Sequence, residues 1–147
     1  MKIVVDTNRI IAALIKEGTT RKILFDDYFE FITPDYTISE IHEHEDELKK
    51  ITKLKDDEFK MLLDLILEHI KIIPQSEYSD FVEKCKDDII DRDDVPILAV
   101  AIANEVPGIW AHDLHFKDQN KVKVFTNIDM LRMSGKVMSD KDYYEKS

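Results

Sequence analysis

Cysteine and glycine are scarce in this 147-residue chain, and each scarcity excludes a class of function. The single cysteine, Cys85, permits no internal disulfide and leaves no CxxC pair for zinc, so a reducing compartment is the simpler setting. It lies in the charged stretch Phe81-Val82-Glu83-Lys84-Cys85-Lys86 and reads as a packing residue rather than a nucleophile. Three glycines leave no room for a phosphate loop of the GxGxxG or GxxxxGK type, which argues against a nucleotide cofactor. Long apolar runs are missing too, since no window approaches the roughly 18 consecutive apolar residues of a membrane span. Met1 leads straight into a strand pattern, without the basic, apolar and small-residue series of a signal peptide. The expectation is a cytoplasmic protein with no membrane partner. Positive charge is the last shortage: 21 Lys and Arg against 31 Asp and Glu give a net charge of -10. That argues against a broad basic face that holds nucleic acid by neutralising its phosphates. Nucleic acid remains open as a substrate, because a bound cation and a local basic cluster can hold a phosphodiester on an otherwise acidic surface.

What is present is an ordinary soluble core, with 44% hydrophobic residues and a length that predicts one domain over residues 1–147, the polar stretch 139–147 forming a tail. Ile3-Val4-Val5 is a β-branched run without polar alternation, the pattern of a central strand buried on both faces. Thr7 or Asn8 caps a helix expected over 9–16 that Gly18 ends, and a second helix is expected over 20–29. Phe31-Ile32-Thr33 forms the next strand before a Pro34-Asp35 turn, and residues 38–70 read as two helices broken near Leu54-Lys55-Asp56. Lys71-Ile72-Ile73-Pro74 is a third strand, and 76–90 a helix with Tyr78, Phe81 and Val82 facing inward. A buried helix over 95–103 carries Pro96 in its first turn, where a missing N–H is harmless. Strands at 109–111 and 122–125 and a helix at 128–133 complete the chain. Strands separated by helices in this way predict a parallel sheet covered on both faces.

Four carboxylates stand at the edges of these apolar elements: Asp6 after the first strand, Glu40 opening a helix, Asp94 opening another, and Asp113 closing the strand that begins at Gly108. Parallel neighbouring strands would deliver Asp6 and Asp113 to one edge of the sheet, where open α/β folds place their ligands. Gathered carboxylates repel one another unless a cation neutralises them. Hard oxygen donors without paired Cys or His select Mg²⁺ or Mn²⁺ over zinc, and such sites handle phosphates. Each acid also has a local reading. Asp6 could cap the first helix, although Thr7 and Asn8 could cap it equally well. Thr37-Ile38-Ser39-Glu40 fits a capping box, which taken alone gives Glu40 a purely local role. One of Asp91, Asp93 and Asp94 must cap the helix that follows, but three acids in four positions exceed what capping needs. His42 and His44 are two residues apart and so do not share a helix face, which makes them a solvated surface rather than a chelating pair. His112 and His115 flank Asp113 and could touch a substrate phosphate or stack at the surface.

In this order and spacing the chain resembles the PIN-domain nucleases, a family that includes toxins of toxin–antitoxin pairs and RNA-processing nucleases. Ile3-Val4-Val5-Asp6-Thr7-Asn8 resembles the family's opening strand and first acid, and Thr33-Pro34-Asp35-Tyr36-Thr37-Ile38-Ser39-Glu40-Ile41 the segment bearing the second. Asp91-Arg92-Asp93-Asp94-Val95-Pro96 resembles the third, with Asp94 as the acid, and Asp113 takes the fourth position before His115-Phe116. The resemblance spans about residues 1–133. One departure is Ala111, where members often carry Thr or Ser two residues before the fourth acid; Asp118 or Asn120 could supply the missing contact.

The resemblance implies a three-layer α/β/α fold with a five-stranded parallel sheet in the order 3-2-1-4-5. It also implies cleavage of RNA to 5'-phosphate and 3'-hydroxyl ends, with an antitoxin and a second copy of the chain as candidate protein partners. One or two Mg²⁺ or Mn²⁺ ions would be held by Asp6, Asp94 and Asp113, with Glu40 nearer the second or acting as a general base. Asn8 would fix the Asp6 carboxylate, and Thr7, Asp91, Asp93, His112, His115 and Asp118 would support the site or touch substrate. Arg9, Lys16, Arg21, Lys22, Arg92 and Lys117 are the candidates for the RNA path. Two other readings fit the residues less well. A phosphotransfer aspartate of the haloacid-dehalogenase type wants an Asp where Asn8 stands, and a receiver domain wants an Asp where Pro74-Gln75-Ser76 stands. A PIN-like binding module would use the acids only as caps, and the presence of all four in order speaks against it.

Overall fold

The computed structural model describes residues 1–112, 116 and 119–136. Asp113, His115, Lys117, Asp118 and the 139–147 tail, all singled out above, lie outside the described residues. The first strand, β1 (Lys2–Val5), is followed by α1 (Thr7–Ile15), α2 (Thr19–Leu24), β2 (Glu30–Pro34) and α3 (Asp35–Glu43). Then come α4 (Glu45–Thr52), α5 (Asp56–Leu67), β3 (Ile70–Ile73) and α6 (Gln75–Cys85). A single 3-10 turn (Arg92–Asp94) leads into α7 (Val95–Ala103), and β4 (Gly108–Trp110), β5 (Lys123–Phe125) and α8 (Asn127–Met133) complete the described elements.

All four strand pairings are parallel and the sheet order is β3-β2-β1-β4-β5, as expected. Side chains alternate across a strand, so each central strand feeds two cores. Ile3, Val5, Phe31 and Trp110 pack on one face with residues of α1, α2, α4, α5 and α8. Val4, Ile32, Ile73 and Ile109 pack on the other with α6 and α7. This is a three-layer α/β/α arrangement. The all-apolar sequence of α7 follows from its place, with Val95 and Ile97 through Ala101 buried.

Several boundaries differ from the sequence expectation, each for a local reason. α1 begins at Thr7 rather than residue 9 and ends at Ile15, and Gly18 is not its terminator but the residue that opens α2. α2 stops at Leu24 instead of reaching 29 because the Asp26 carboxylate accepts the Tyr28 N–H at 3.0 Å, an Asx turn that competes with further helix. No turn separates β2 from α3: Pro34 ends the strand, holds extended backbone at the N-cap position, and Asp35 is already helical. The 38–70 region contains three helices, not two. The expected break near Leu54 is present, and a second falls at His44, after which Glu45, Asp46 and Glu47 favour a new helix N-terminus. α6 ends at Cys85, short of 90, where the Asp88 N–H turns back to the Cys85 carbonyl at 2.9 Å. β4 ends at Trp110, so the strand does not extend to Asp113.

Candidate active site

β1 and α1 join without a loop, and this places Asp6 at the C-terminal edge of the sheet. Its backbone N–H donates to the Trp110 carbonyl of β4 at 3.0 Å, and its carbonyl accepts the Arg9 N–H at 3.0 Å. Asp6 occupies the N-cap position of α1, yet its side chain makes no capping hydrogen bond. The capping reading of Asp6 is therefore set aside. The residue is only 2% exposed, a depth at which an ionised carboxyl is costly without polar partners or a cation.

Glu40 arrives from the neighbouring strand's helix. It does not open α3, as expected from the sequence, but sits inside it, because Pro34 starts the helix at Asp35 and makes Thr37 an interior residue. The Thr37-to-Glu40 capping box therefore does not form. Instead the Thr7 hydroxyl donates to Glu40 Oε1 at 3.0 Å and lies 3.0 Å from the Thr37 hydroxyl. Thr33, at the end of β2, donates its hydroxyl to the Val5 carbonyl at 2.9 Å and lies 3.1 Å from Thr37 Oγ1. All three threonines are buried. Each hydroxyl has one proton: that of Thr33 goes to the Val5 carbonyl, which can only accept, that of Thr7 goes to the Glu40 carboxylate, and Thr37 stands between the two hydroxyls.

The third segment sorts its acids by role. The Asp91 carboxylate accepts the Asp93 N–H at 2.9 Å and caps the 3-10 turn. Asp93 accepts the phenol O–H of Tyr36 from α3. Asp94 takes the N-cap position of α7 without a side-chain capping bond, and it is half-buried. Burial raises the Glu40 carboxyl to about 7; the Thr7 bond pulls the other way, and the charges of Asp93, Asp6 and Asp94 push it further up. Asp6, Glu40, Asp93 and Asp94 thus share one electrostatic neighbourhood.

Among the described residues, however, no three side chains of His, Cys, Asp or Glu are arranged to hold one metal ion. Asp113, the fourth acid of the sequence reading, lies outside the described residues. The donor chemistry still suits a hard divalent cation: the converging groups are all carboxylates, and their mutual repulsion is what such an ion relieves. Asn8 and His112 are exposed, on the first turn of α1 and just past β4. Arg21 is spent elsewhere than on an RNA path, its guanidinium donating to the Ala13 and Leu14 carbonyls at 2.7 and 3.3 Å at the C-terminus of α1. Sequence reasoning missed Thr33, Thr37 and Tyr36. The only available signal was hydroxyl groups beside the Phe31-Ile32 strand and one turn apart on the helix that follows.

Fold and site together define a protein of the α/β/α class with an acidic edge beyond the carboxyl ends of β1 and β4. The chain belongs to the PIN-domain family, whose profile matches residues 4–127, and PIN domains are nucleases that work with divalent metal ions. Among solved structures, a chain in the crystal structure of VapBC2 from Rickettsia felis bound to a DNA fragment from their promoter is similar to this one. Its TM-score is 0.64 at 18% identity, with 86% of this chain and 98% of that chain covered. No curated protein matches the sequence. No helix among the described residues is long and apolar enough to cross a membrane.

Proposed function

We propose that this PIN-domain nuclease is a Mg²⁺- or Mn²⁺-dependent endoribonuclease that hydrolyses RNA to 5'-phosphate and 3'-hydroxyl ends. The observation that carries the reading is the convergence of Asp6, Glu40 and Asp94, none of which fills the capping role that would explain it otherwise. Asp6, Asp94 and Asp113 would hold the ion, with Glu40 beside it or beside a second. A divalent ion bound there supplies Lewis acidity toward the scissile phosphate and a more acidic water. Glu40, with its carboxyl raised to about 7 and one oxygen held by Thr7, is suited to accept the proton of the attacking water near neutral pH. As water attacks phosphorus, the 3' oxygen leaves and the phosphate stays on the 5' side of the downstream product. Asn8 would fix the Asp6 carboxylate, His112 and His115 would touch the substrate phosphate, and Arg9, Lys16, Lys22, Arg92 and Lys117 would supply its basic path.

The likeness to a chain of the VapBC2 assembly supports a protein partner of the antitoxin type. Exposed Ile15, Met61 and Leu65 offer apolar surface for it or for a second copy of the chain. Co-purification with the product of an adjacent reading frame would support the antitoxin, and a dimer of this chain alone the second copy.

The test of the reaction is product analysis. Single-stranded RNA and the matching DNA are incubated with the protein and Mn²⁺, and the product ends are identified by enzymatic labelling. RNA cut to 5'-phosphate ends, with DNA spared, is the expected result. A 2',3'-cyclic phosphate would make the ribose hydroxyl the nucleophile and contradict hydrolysis by water, and equal cleavage of DNA would contradict the substrate.

A further inference from the structure

Of Asp91, Asp93 and Asp94, the first caps a turn and the last is the N-cap residue of α7, while Asp93, whose charge also acts on Glu40, takes a hydrogen bond from α3. We propose that Tyr36 and Asp93 form a tether that sets the spacing between the Glu40 helix and the Asp94 turn. Tyr36 is then a positioning residue for the divalent ion. This rests on the metal-dependent reading above.

Two adjacent residues of α3 fasten it to the opposite side of the site. Asp35 accepts the Tyr78 O–H at 2.6 Å and the Gln75 N–H at 3.0 Å, both from the first half of α6. Tyr36 then donates its phenol O–H to the Asp93 carboxylate in the 3-10 turn. Tyr36 and Glu40 stand four residues apart on α3 and so share a face. Asp93 immediately precedes Asp94, the N-cap residue of α7. The link therefore runs from one turn before Glu40 to one residue before Asp94. Between these two acids repulsion favours separation, and the hydrogen bond from the phenol to a charged acceptor opposes it. The bond to Asp93 also raises the phenol's pKa above its ordinary value, so the donor keeps its proton well into the alkaline range. A tether of this kind does for two carboxylates what an outer-shell hydrogen bond does for a metal ligand, fixing them before the ion arrives.

The test is Mn²⁺ binding to the intact protein, read by the electron paramagnetic resonance signal of free Mn²⁺, for wild type, Tyr36→Phe and Asp93→Ala. Each variant is expected to bind Mn²⁺ about 10-fold more weakly, the lower end of outer-shell effects. The Tyr36→Phe, Asp93→Ala double variant should lose no more than either alone. RNA cleavage should need more Mn²⁺ but regain most of the wild-type kcat at saturation, which a general loss of folding would not allow. Wild-type affinity in both single variants, or fully additive losses in the double variant, would overturn the tether while leaving the metal centre standing. A wild-type protein that binds no Mn²⁺ would instead overturn the metal reading, and the tether with it.

Discussion

Threonine is a mediocre interior helix residue, and Thr37 has a specific reason to be where it is. Its hydroxyl joins Thr33 to Thr7, and Thr7 holds Glu40. Thr37→Val keeps the shape and removes the link, so kcat for RNA cleavage should fall about 10-fold, as when outer-shell partners are lost. Steady-state kinetics, with KM for RNA little changed, check it. Glu40 makes a separate prediction about pH. In the native protein it keeps its proton up to about 7, whereas the unfolded chain releases it near 4.5. Between those values the folded state binds more protons than the unfolded one, so metal-free stability must fall as pH rises through that window. Allowing for the exposed part of the carboxyl, the loss is on the order of 1 to 2 kcal/mol. Urea unfolding at several pH values should show this slope in wild type and its absence in Glu40→Gln.

At the scale of elements, short joints decide what reaches the edge. β1 passes to α1 through Asp6 alone, β2 to α3 with no residue between, and β3 to α6 through Pro74 alone. Each helix N-terminus is thereby held at the same edge of the sheet, where partial positive charge favours acids. On the other side of β1, β4 and β5 are locked by close approach at Gly108. A Cβ there would lie 2.3 Å from the Phe125 ring and 3.0 Å from the Lys123 carbonyl. Gly108→Ala should cost about 1–3 kcal/mol, the range for overpacking. Adding Phe125→Leu should recover part of it, and urea midpoints read both. Element order and sheet class were legible in the sequence because apolar runs such as Ile3-Val4-Val5 and the 95–103 helix have no other stable place than a two-sided core. Boundaries were less so. Pro34 reads as a turn residue in isolation but serves here as the residue that starts α3, and that single shift moved Glu40 from a helix start to a helix interior.

Over the whole molecule, the site is a set of relations between distant segments. Asp6 and Asp94 could be recognised from their positions at the ends of apolar elements, but Glu40 needed the family resemblance, since its local spacing pointed to a capping box. The Thr7 to Thr37 and Tyr36 to Asp93 contacts join residues 30 and 57 positions apart, and no local pattern carries such pairings. The second core behaves as one sealed unit. Cys85 is fully buried in it with Val4, Ile32 and α7, and burial pushes its thiol pKa up. A thiol reagent should therefore leave Cys85 unmodified in the native protein and modify it fully in guanidinium, as mass spectrometry would show. With a net charge of -10, the molecule as a whole repels RNA, so the proposed cleavage calls for a cation at the acidic edge. The most direct measurement is RNA cleavage by the wild-type protein in Mn²⁺, in excess chelator, and after Mn²⁺ is restored, beside Asp6→Asn and Asp94→Asn of unchanged fold. Cleavage that vanishes with chelator, returns with Mn²⁺ and is absent from both variants is the predicted result, and wild-type cleavage that persists in chelator would contradict it.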